Sequence, residues 1–381
     1  MKVALFTDTF IPDVNGVAKT LAKLTNYFEH QKIDYQVFAP ESINEDLFSK
    51  QIHRFISLPF FLYPECRLAL PNMLKIKTQL QEFQPDIIHI ATPFNIGLCG
   101  LHYAKKMNIP IVGSYHTDFE QYLSYYDLNF LSPFLWKYMK WFHQPLERIF
   151  VPSQATKDHL QSKGFTNLSI WSRGVDHTLF HPHYDRFDVR IKYNIKKPYI
   201  LTYVGRLAPE KNLNTFMEIA KSMPPHIRHK IHWLIVGDGP LKEQLQKESL
   251  EHMTFTGFLQ GEHLAKVYAA SDLFVFPSAT ETFGNVVLES LACGTPVVGA
   301  NAGGVKTIVQ QGRNGYLCNP NSVQEFVHHI VELLEDLHKR IHFGHQGRNY
   351  ALTQTWDSIF ERLLMEYEEA LINRKQSIQL A

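Results

Sequence analysis

The stretch Glu281-Thr-Phe-Gly-Asn-Val-Val-Leu-Glu289 sets two carboxylates on either side of a glycine turn. It follows the apolar run Leu273–Phe276, which reads as a buried strand, and leads into a helix ending at Cys293-Gly294-Thr295-Pro296. Glu281 is therefore expected in a loop leaving the carboxyl end of a strand, where open α/β sheets bind ligands. Glu289 falls about one turn into the helix that follows. The backbone N–H groups of Phe283, Gly284, Asn285 and Val286 are the donors that a helix start leaves unpaired, and such donors suit a phosphate. Taken alone, the same pattern also fits a surface loop before an amphipathic helix, so the flanking sequence has to decide.

Outward from this stretch, short β-rich runs alternate with helix-period segments along the whole chain, the signature of parallel sheets flanked by helices. The strand candidates are Lys2–Thr7, Tyr35–Ala39, Ile87–Ala91, Ile111–Ser114 and Arg148–Val151, then Tyr199–Val204, His232–Val236, Leu273–Phe276 and Pro296–Gly299. Val17, Leu21, Leu24 and Phe28 recur at helical spacing after the Asn15-Gly16 turn. At 381 residues the chain exceeds one ordinary core. The aperiodic stretch from Trp171 to Lys197 carries Pro182 and is followed by Pro198, which marks it as the linker. The expected domains are 1–180, 181–355 and a closing helical segment, 356–381.

Hydrophobic content of 45% and charged content of 20% describe a globular protein, and a net charge of +1 gives no reason to expect nucleic acid. Cys66, Cys99, Cys293 and Cys318 lie far apart and read as isolated thiols of a reducing compartment. The opening apolar run stops at Asp8, too short for a signal peptide, and no run is long enough to span a bilayer. A cytoplasmic protein is expected, or one peripheral to the inner face of the plasma membrane.

Strand Tyr199–Val204 runs into Gly205-Arg206-Leu-Ala-Pro-Glu-Lys211-Asn212. Arg206 offers a planar fork for phosphate oxygens and Lys211 a mobile point charge. On the same sheet edge as Glu281 and Glu289, the two cations form an expected diphosphate clamp. The first strand is followed by Thr7-Asp8-Thr9-Phe10-Ile-Pro12-Asp13-Val-Asn15-Gly16, the place of a phosphate-binding turn. It lacks both G-x-G-x-x-G and G-x-x-x-x-G-K-[ST], which disfavours a dinucleotide or P-loop site. Gly16 permits close approach of the backbone to a ligand.

His116, in Ser114-Tyr115-His116-Thr117-Asp118-Phe119, is expected at a strand's carboxyl end beside a carboxylate, a position suited to substrate contact. Gly237-Asp238-Gly239-Pro240 resembles a nucleotide turn, Gly257-Phe258-Leu259 reads as a base-edge loop, and Gly303-Gly304 opens another βα turn. No two aspartates are separated by one residue, so the D-x-D that usually holds a metal on a sugar nucleotide is missing. The pairs His181/His183 and His328/His329 read as solvated histidines without a carboxylate or cysteine cluster, and no metal site is expected.

As an ordered set, T-D-T-F-x-P-x-x-N-G-V, Y-H-T-D-F, G-R-L-A-P-E-K-N, G-D-G-P and E-T-F-G-N-V-V-L-E with A-C-G-T-P-V-V resemble family 4 of the retaining glycosyltransferases. The likeness extends over nearly the whole chain and is nearest to the branch of lipid and mannosyl transferases. It implies a GT-B fold, two doubly wound Rossmann-like domains facing across a cleft, with the C-terminal helix crossing back onto the first. It also implies that Arg206 and Lys211 bind the donor diphosphate, Glu289 the ribose, Glu281 and His116 the hexose, and that Gly16 closes over the phosphates. Gly257 and the amides of Phe283–Val286 complete the implied donor site. One departure follows Gly303-Gly304, where the family often carries an acidic residue and this chain has Val305-Lys306.

The function so implied is metal-independent, retaining transfer of mannose or glucose, from GDP-mannose or a UDP-hexose, to a glycolipid or glycan acceptor. No cofactor is needed besides the donor itself. A nucleotide-sugar epimerase, a silent sugar-nucleotide binder and transfer to a soluble acceptor are the rival readings. Between Phe119 and Phe150, Leu131, Phe134, Leu135, Tyr138 and Phe142 follow helical spacing near Lys137 and Lys140. This segment is a core helix or an interfacial helix meeting anionic lipid, with Trp136 and Trp141 at the boundary.

Overall fold

Runs of apolar residues form parallel strands, and the helical segments between them form the crossovers that parallel pairing requires. A computed structural model describes residues 1–13, 15–41, 51–59, 67–116, 120, 123 and 129–379. The N-terminal strands are β1 (Lys2–Phe6), β2 (Asp34–Pro40), β3 (Ile52–Phe55), β4 (Ser57–Pro59), β5 (Arg67–Ala69), β6 (Ile87–Ile90), β7 (Ile111–Ser114), β8 (Arg148–Val151) and β9 (Leu168–Ile170). Seven of them form a parallel sheet in the order β3-β2-β1-β6-β7-β8-β9, and β4 and β5 pair antiparallel apart from it. The later strands are β10 (Tyr199–Val204), β11 (Ile231–Val236), β12 (Met253–Gly257), β13 (Leu273–Phe276), β14 (Val297–Ala300) and β15 (Gly315–Cys318). They form a second parallel sheet, β12-β11-β10-β13-β14-β15.

Both sheets are doubly wound. Strand order reverses between β1 and β6 in the first and between β10 and β13 in the second, the position at which such sheets bind ligands. The chain divides into two units. One comprises 1–152, 157–172 and 357–381, the other 153–156 and 173–356. The change of unit thus falls at Ser172/Arg173 and not at 180/181, because Val175 and Phe180 are buried in the second core. Every expected strand is present, while β3, β9, β12 and β15, which had not been anticipated, are the edges of the two sheets.

The closing helix, Trp356–Gln379, belongs to the first unit from Asp357 onward. Its anchor is Tyr367, fully buried, whose hydroxyl meets Nδ1 of His89 on β6, while His89 Nε2 meets Ser114 Oγ on β7 at 2.5 Å. Burial pushes the His89 imidazole down to about 3, so the ring is neutral and both nitrogens are engaged. Phe360 approaches both Tyr27 and Trp171, and Arg148 bonds Glu366 at 3.0 Å and Glu369 at 3.3 Å.

At the reversal of the first sheet, Asp8 is fully buried just beyond β1. Its carboxylate accepts the Ile96 amide at 2.8 Å, and a Thr92 hydroxyl hydrogen at 2.7 Å. It thereby supplies the cap that Phe94 cannot give the helix Asn95–Met107. Burial raises its pKa to about 6 against an ordinary 3.8, despite those bonds. A raised folded-state pKa means that the unfolded chain loses its proton first. The stability from this group is therefore full below about pH 4 and lost as pH rises through about 6. We expect Asp8→Asn to remove that slope. The difference in unfolding midpoint between variant and wild type, followed over this range, should change with pH, and a constant difference would show that Asp8 does not titrate there.

Candidate active site

β10 and β13 pair side by side, Leu201 with Leu273 and Thr202 with Phe274, so their exits emerge as neighbours at the strand-order reversal. Arg206 follows β10 on the exposed surface, and Leu207 and Ala208 turn inward. Pro209–Lys211 then makes a single tight turn with proline leading it. Asn212, in the left-handed region at φ 53°, donates from its amide to the carbonyls of Pro277 at 3.3 Å and Pro320 at 3.0 Å. Thr280 Oγ1 donates to the Glu210 carbonyl at 2.9 Å. These bonds stitch the exit of β10 to the exit of β13.

The stitching brings Lys211 Nζ to 2.6 Å from Glu281 Oε1, both side chains about one-fifth exposed (19% and 20%). The sequence assigned these residues to different parts of a ligand, and the structure joins them as an ion pair. Each therefore helps fix the position of the other and offsets its charge. Glu281 is also held through its backbone, since its carbonyl accepts the Gly304 amide at 2.6 Å. A Cβ on Gly303 would lie 2.3 Å from the Glu281 carbonyl oxygen, and one on Gly304 2.3 Å from that of Phe283. Only glycines let these two backbones pass so closely.

Gly284 precedes the helix Asn285–Ala292 in the left-handed region, and no side chain caps the helix start. The amides of Val287 and Leu288 go to the Gly284 carbonyl at 3.0 and 3.3 Å, while Phe283 is buried beneath the turn. Asn285 Oδ1 is buried without a hydrogen-bond partner among the described residues, an unsatisfied acceptor of the kind that a ligand donor satisfies. One turn on, Glu289 Oε2 accepts the hydroxyl of Tyr268 at 3.1 Å.

Gly257 ends β12, its carbonyl taking the Gly237 amide at 2.9 Å. The Gly237-Asp238-Gly239-Pro240 turn has a packing explanation. A Cβ at Gly237 would meet the Gly205 carbonyl at 1.9 Å, and one at Gly239 the Leu207 carbonyl at 2.4 Å. In the first unit, Gly16 opens the helix Gly16–His30, and Asn15 Oδ1 caps it by accepting the Ala18 amide at 2.8 Å. His116 stands just beyond β7 with its ring 5.5 Å from that of Trp171. Asp118, expected beside it, lies outside the described residues.

Three residues that shape this site carried little signal. Asn212 stood in a quoted motif without a role, Thr280 adjoined Glu281, and Tyr268 lies in a helix that the motifs did not touch. The histidine pair at 328/329 needs correcting, because a carboxylate does accompany it. His328, His329 and Glu332 place ligand atoms within 4.8 Å of one another, a proximity that the helical spacing of Glu332 could have revealed. Glu332 Oε1 takes Lys339 at 2.6 Å and Tyr316 at 2.7 Å, and Oε2 faces His329 Nδ1 at 3.2 Å. Burial alone would raise its pKa, but bonds from Lys339, Tyr316 and His329 outweigh this and hold the carboxyl down to about 2. With both oxygens engaged by protein donors, the cluster is a clasp between β15 and two helices.

Residues 14–179 match the family model described as Glycosyltransferase Family 4, and residues 185–350 the one described as Glycosyl transferases group 1. The chain is 30% identical over 375 residues to a GDP-mannose-dependent alpha-mannosyltransferase of Mycobacterium tuberculosis, covering 97% of this chain and 96% of that one. It is 31% identical to an alpha-monoglucosyldiacylglycerol synthase of Streptococcus pneumoniae, covering 78% of this chain and 70% of that one. Among solved structures, sucrose-phosphate synthase from Thermosynechococcus elongatus superposes with a TM-score of 0.80 at 20% identity, over 98% of this chain and 100% of that one. With the two sheets, the reversal-point loops and these likenesses together, the chain belongs to the group 1 glycosyltransferases of family 4 and has the GT-B fold.

Proposed function

We propose that this glycosyltransferase moves mannose or glucose from a nucleoside-diphosphate sugar, GDP-mannose or a UDP-hexose, to a glycolipid acceptor, with retention of anomeric configuration and without a metal. The observation that carries the reading is the Lys211–Glu281 pair, set at the reversal point between Arg206's loop and an uncapped helix start. Charge developing on the leaving diphosphate would be met by the Arg206 fork, the Lys211 ammonium and the amides of Phe283–Val286. The anomeric carbon–oxygen bond to the diphosphate breaks, the acceptor oxygen bonds the same face, and its proton passes to the leaving phosphate. Glu281 would accept a hexose hydroxyl and Glu289 the ribose hydroxyls. For His116 and Gly16 the roles, hexose and phosphate contact, come by resemblance alone.

The names of the mannosyltransferase and of the glucosyldiacylglycerol synthase support a hexosyl donor and a lipid acceptor. Among the described residues no helix is long and apolar enough to cross a membrane. On this reading a lipid acceptor would be met by peripheral contact, at the cytoplasmic face. The helix Ser132–His143 offers the surface, with Phe134 71% and Trp141 52% exposed, and Lys137 and Lys140 exposed beside them. Trp136 is not part of that surface. Its Nε1 donates to Glu120 at 2.9 Å, and its ring lies edge-on to Phe165 under the Lys163 ammonium.

A donor panel followed by nucleoside-diphosphate release, with NMR of the product's anomeric centre, tests the reaction. Release only with lipid acceptor, a retained anomer and activity in EDTA are expected. An inverted product, a requirement for Mg²⁺ or Mn²⁺, or release of an altered sugar without acceptor would overturn it. Lys211→Ala should lower turnover about 10²- to 10³-fold, as for loss of an oxyanion donor. Because Glu281 loses its partner in that variant, adding Glu281→Gln should cost less than the two single losses combined. Full additivity would mean that the ion pair has no part in catalysis. Phe134→Ala with Trp141→Ala should abolish sedimentation with anionic liposomes and leave nucleotide binding intact. Wild-type protein that ignores such liposomes at low salt would favour a soluble acceptor.

A further inference from the structure

We infer that Tyr268 is a positioning residue for the donor ribose, acting through the carboxylate of Glu289. The inference rests on the assignment of Glu289 to the ribose made above. Tyr268 lies on the helix Gly261–Ala270 and is fully buried. Its ring stands edge-on to Phe274 of β13, 5.6 Å between centroids, and to Phe180 at 6.1 Å. Its carbonyl accepts the Thr295 hydroxyl at 2.6 Å and the Ser271 amide at 3.0 Å. With backbone and ring both fixed, the phenol oxygen has one place to be, and there it donates to Glu289 Oε2 at 3.1 Å.

Glu289 gains what a long side chain lacks. A glutamate near a helix start explores several rotamers, and holding it in the binding geometry costs entropy at the moment of binding. The bond from a rigid donor removes that cost in advance. A carboxylate has about four acceptor positions on its two oxygens, so the bond to Tyr268 does not by itself block bonds to a vicinal diol. Burial, and next the Glu289 charge, raise the phenol's pKa well above its ordinary value, so the hydroxyl remains a donor. The ring also packs on Phe274, in the strand whose exit carries Glu281, so the helix bearing Glu289 is referenced to the same sheet as the sugar-side residues.

Calorimetric binding of GDP and UDP, each compared with its 2′,3′-dideoxy analogue, tests this without a known acceptor. Tyr268→Phe, which keeps the ring, should weaken binding of the favoured diphosphate about ten-fold, the size of one hydrogen bond to a charged group. It should leave binding of the dideoxy analogue unchanged. In a Glu289→Gln background, Tyr268→Phe should add nothing. Equal weakening of both ligands by Tyr268→Phe, no weakening of either, or losses that add to those of Glu289→Gln would overturn the positioning role while leaving the ribose assignment intact. Should Glu289→Gln itself fail to reduce discrimination against the dideoxy analogue, the ribose assignment falls and this inference with it. Comparing two ligands on one variant keeps the readout independent of any loss of stability.

Discussion

Parallel pairing is the constraint on which the remaining structure depends. Strands that all run one way need a crossover between each pair, and every crossover delivers its loop to the same sheet edge. In the second unit, the loops after β10 and β13 therefore become neighbours although two strands and the helices around them separate them in sequence. The reversal of strand order leaves a gap in the crossover layer there, and the chain sets beside it the Lys211–Glu281 pair and a helix start with no side-chain cap among the described residues. Lys211 and Glu281 can meet only because the sheet closes that distance first.

The second condition is close backbone packing around those loops. Gly303 and Gly304 pass against Glu281 and Phe283, and Gly237 and Gly239 pass against Gly205 and Leu207. Asn212 and Thr280 add hydrogen bonds between the same segments. The candidate side chains here stand on loops, but loops braced by neighbouring main chain. That bracing gives them the fixed geometry that the proposed electrostatic role would require.

What could be read from the residues follows the same physics. Interior strands such as Leu273–Phe276 are buried on both faces and announce themselves as unbroken apolar runs. The edge strands β3 and β12 mix polar and apolar residues because one side meets a different environment, while β9 and β15 are only three and four residues long, so their runs are too weak or too short to find. Gly205–Asn212 and Glu281–Glu289 were legible because each is contiguous and chemically unusual. The ion pair between them, the Tyr268–Glu289 bond and the Glu332 clasp were not, since each joins segments that only the folded sheet brings together. Trp136 misled for a related reason. An aromatic in an amphipathic helix looks alike whether it faces lipid or, as here, the carboxylate of Glu120.

The helix that carries Tyr367 has a consequence for the order in which the protein comes into being. The second unit lies within the first along the chain, because residues 357–381 return to the unit begun by Met1. A ribosome therefore delivers all of the second unit before the first has the helix that covers His89. Until then the polar ring on β6 lacks one of its two buried partners, and the first sheet waits with that position open. Synthesis from the amino terminus would complete the later half earlier, and the oldest strands would be the last to acquire their full native contacts.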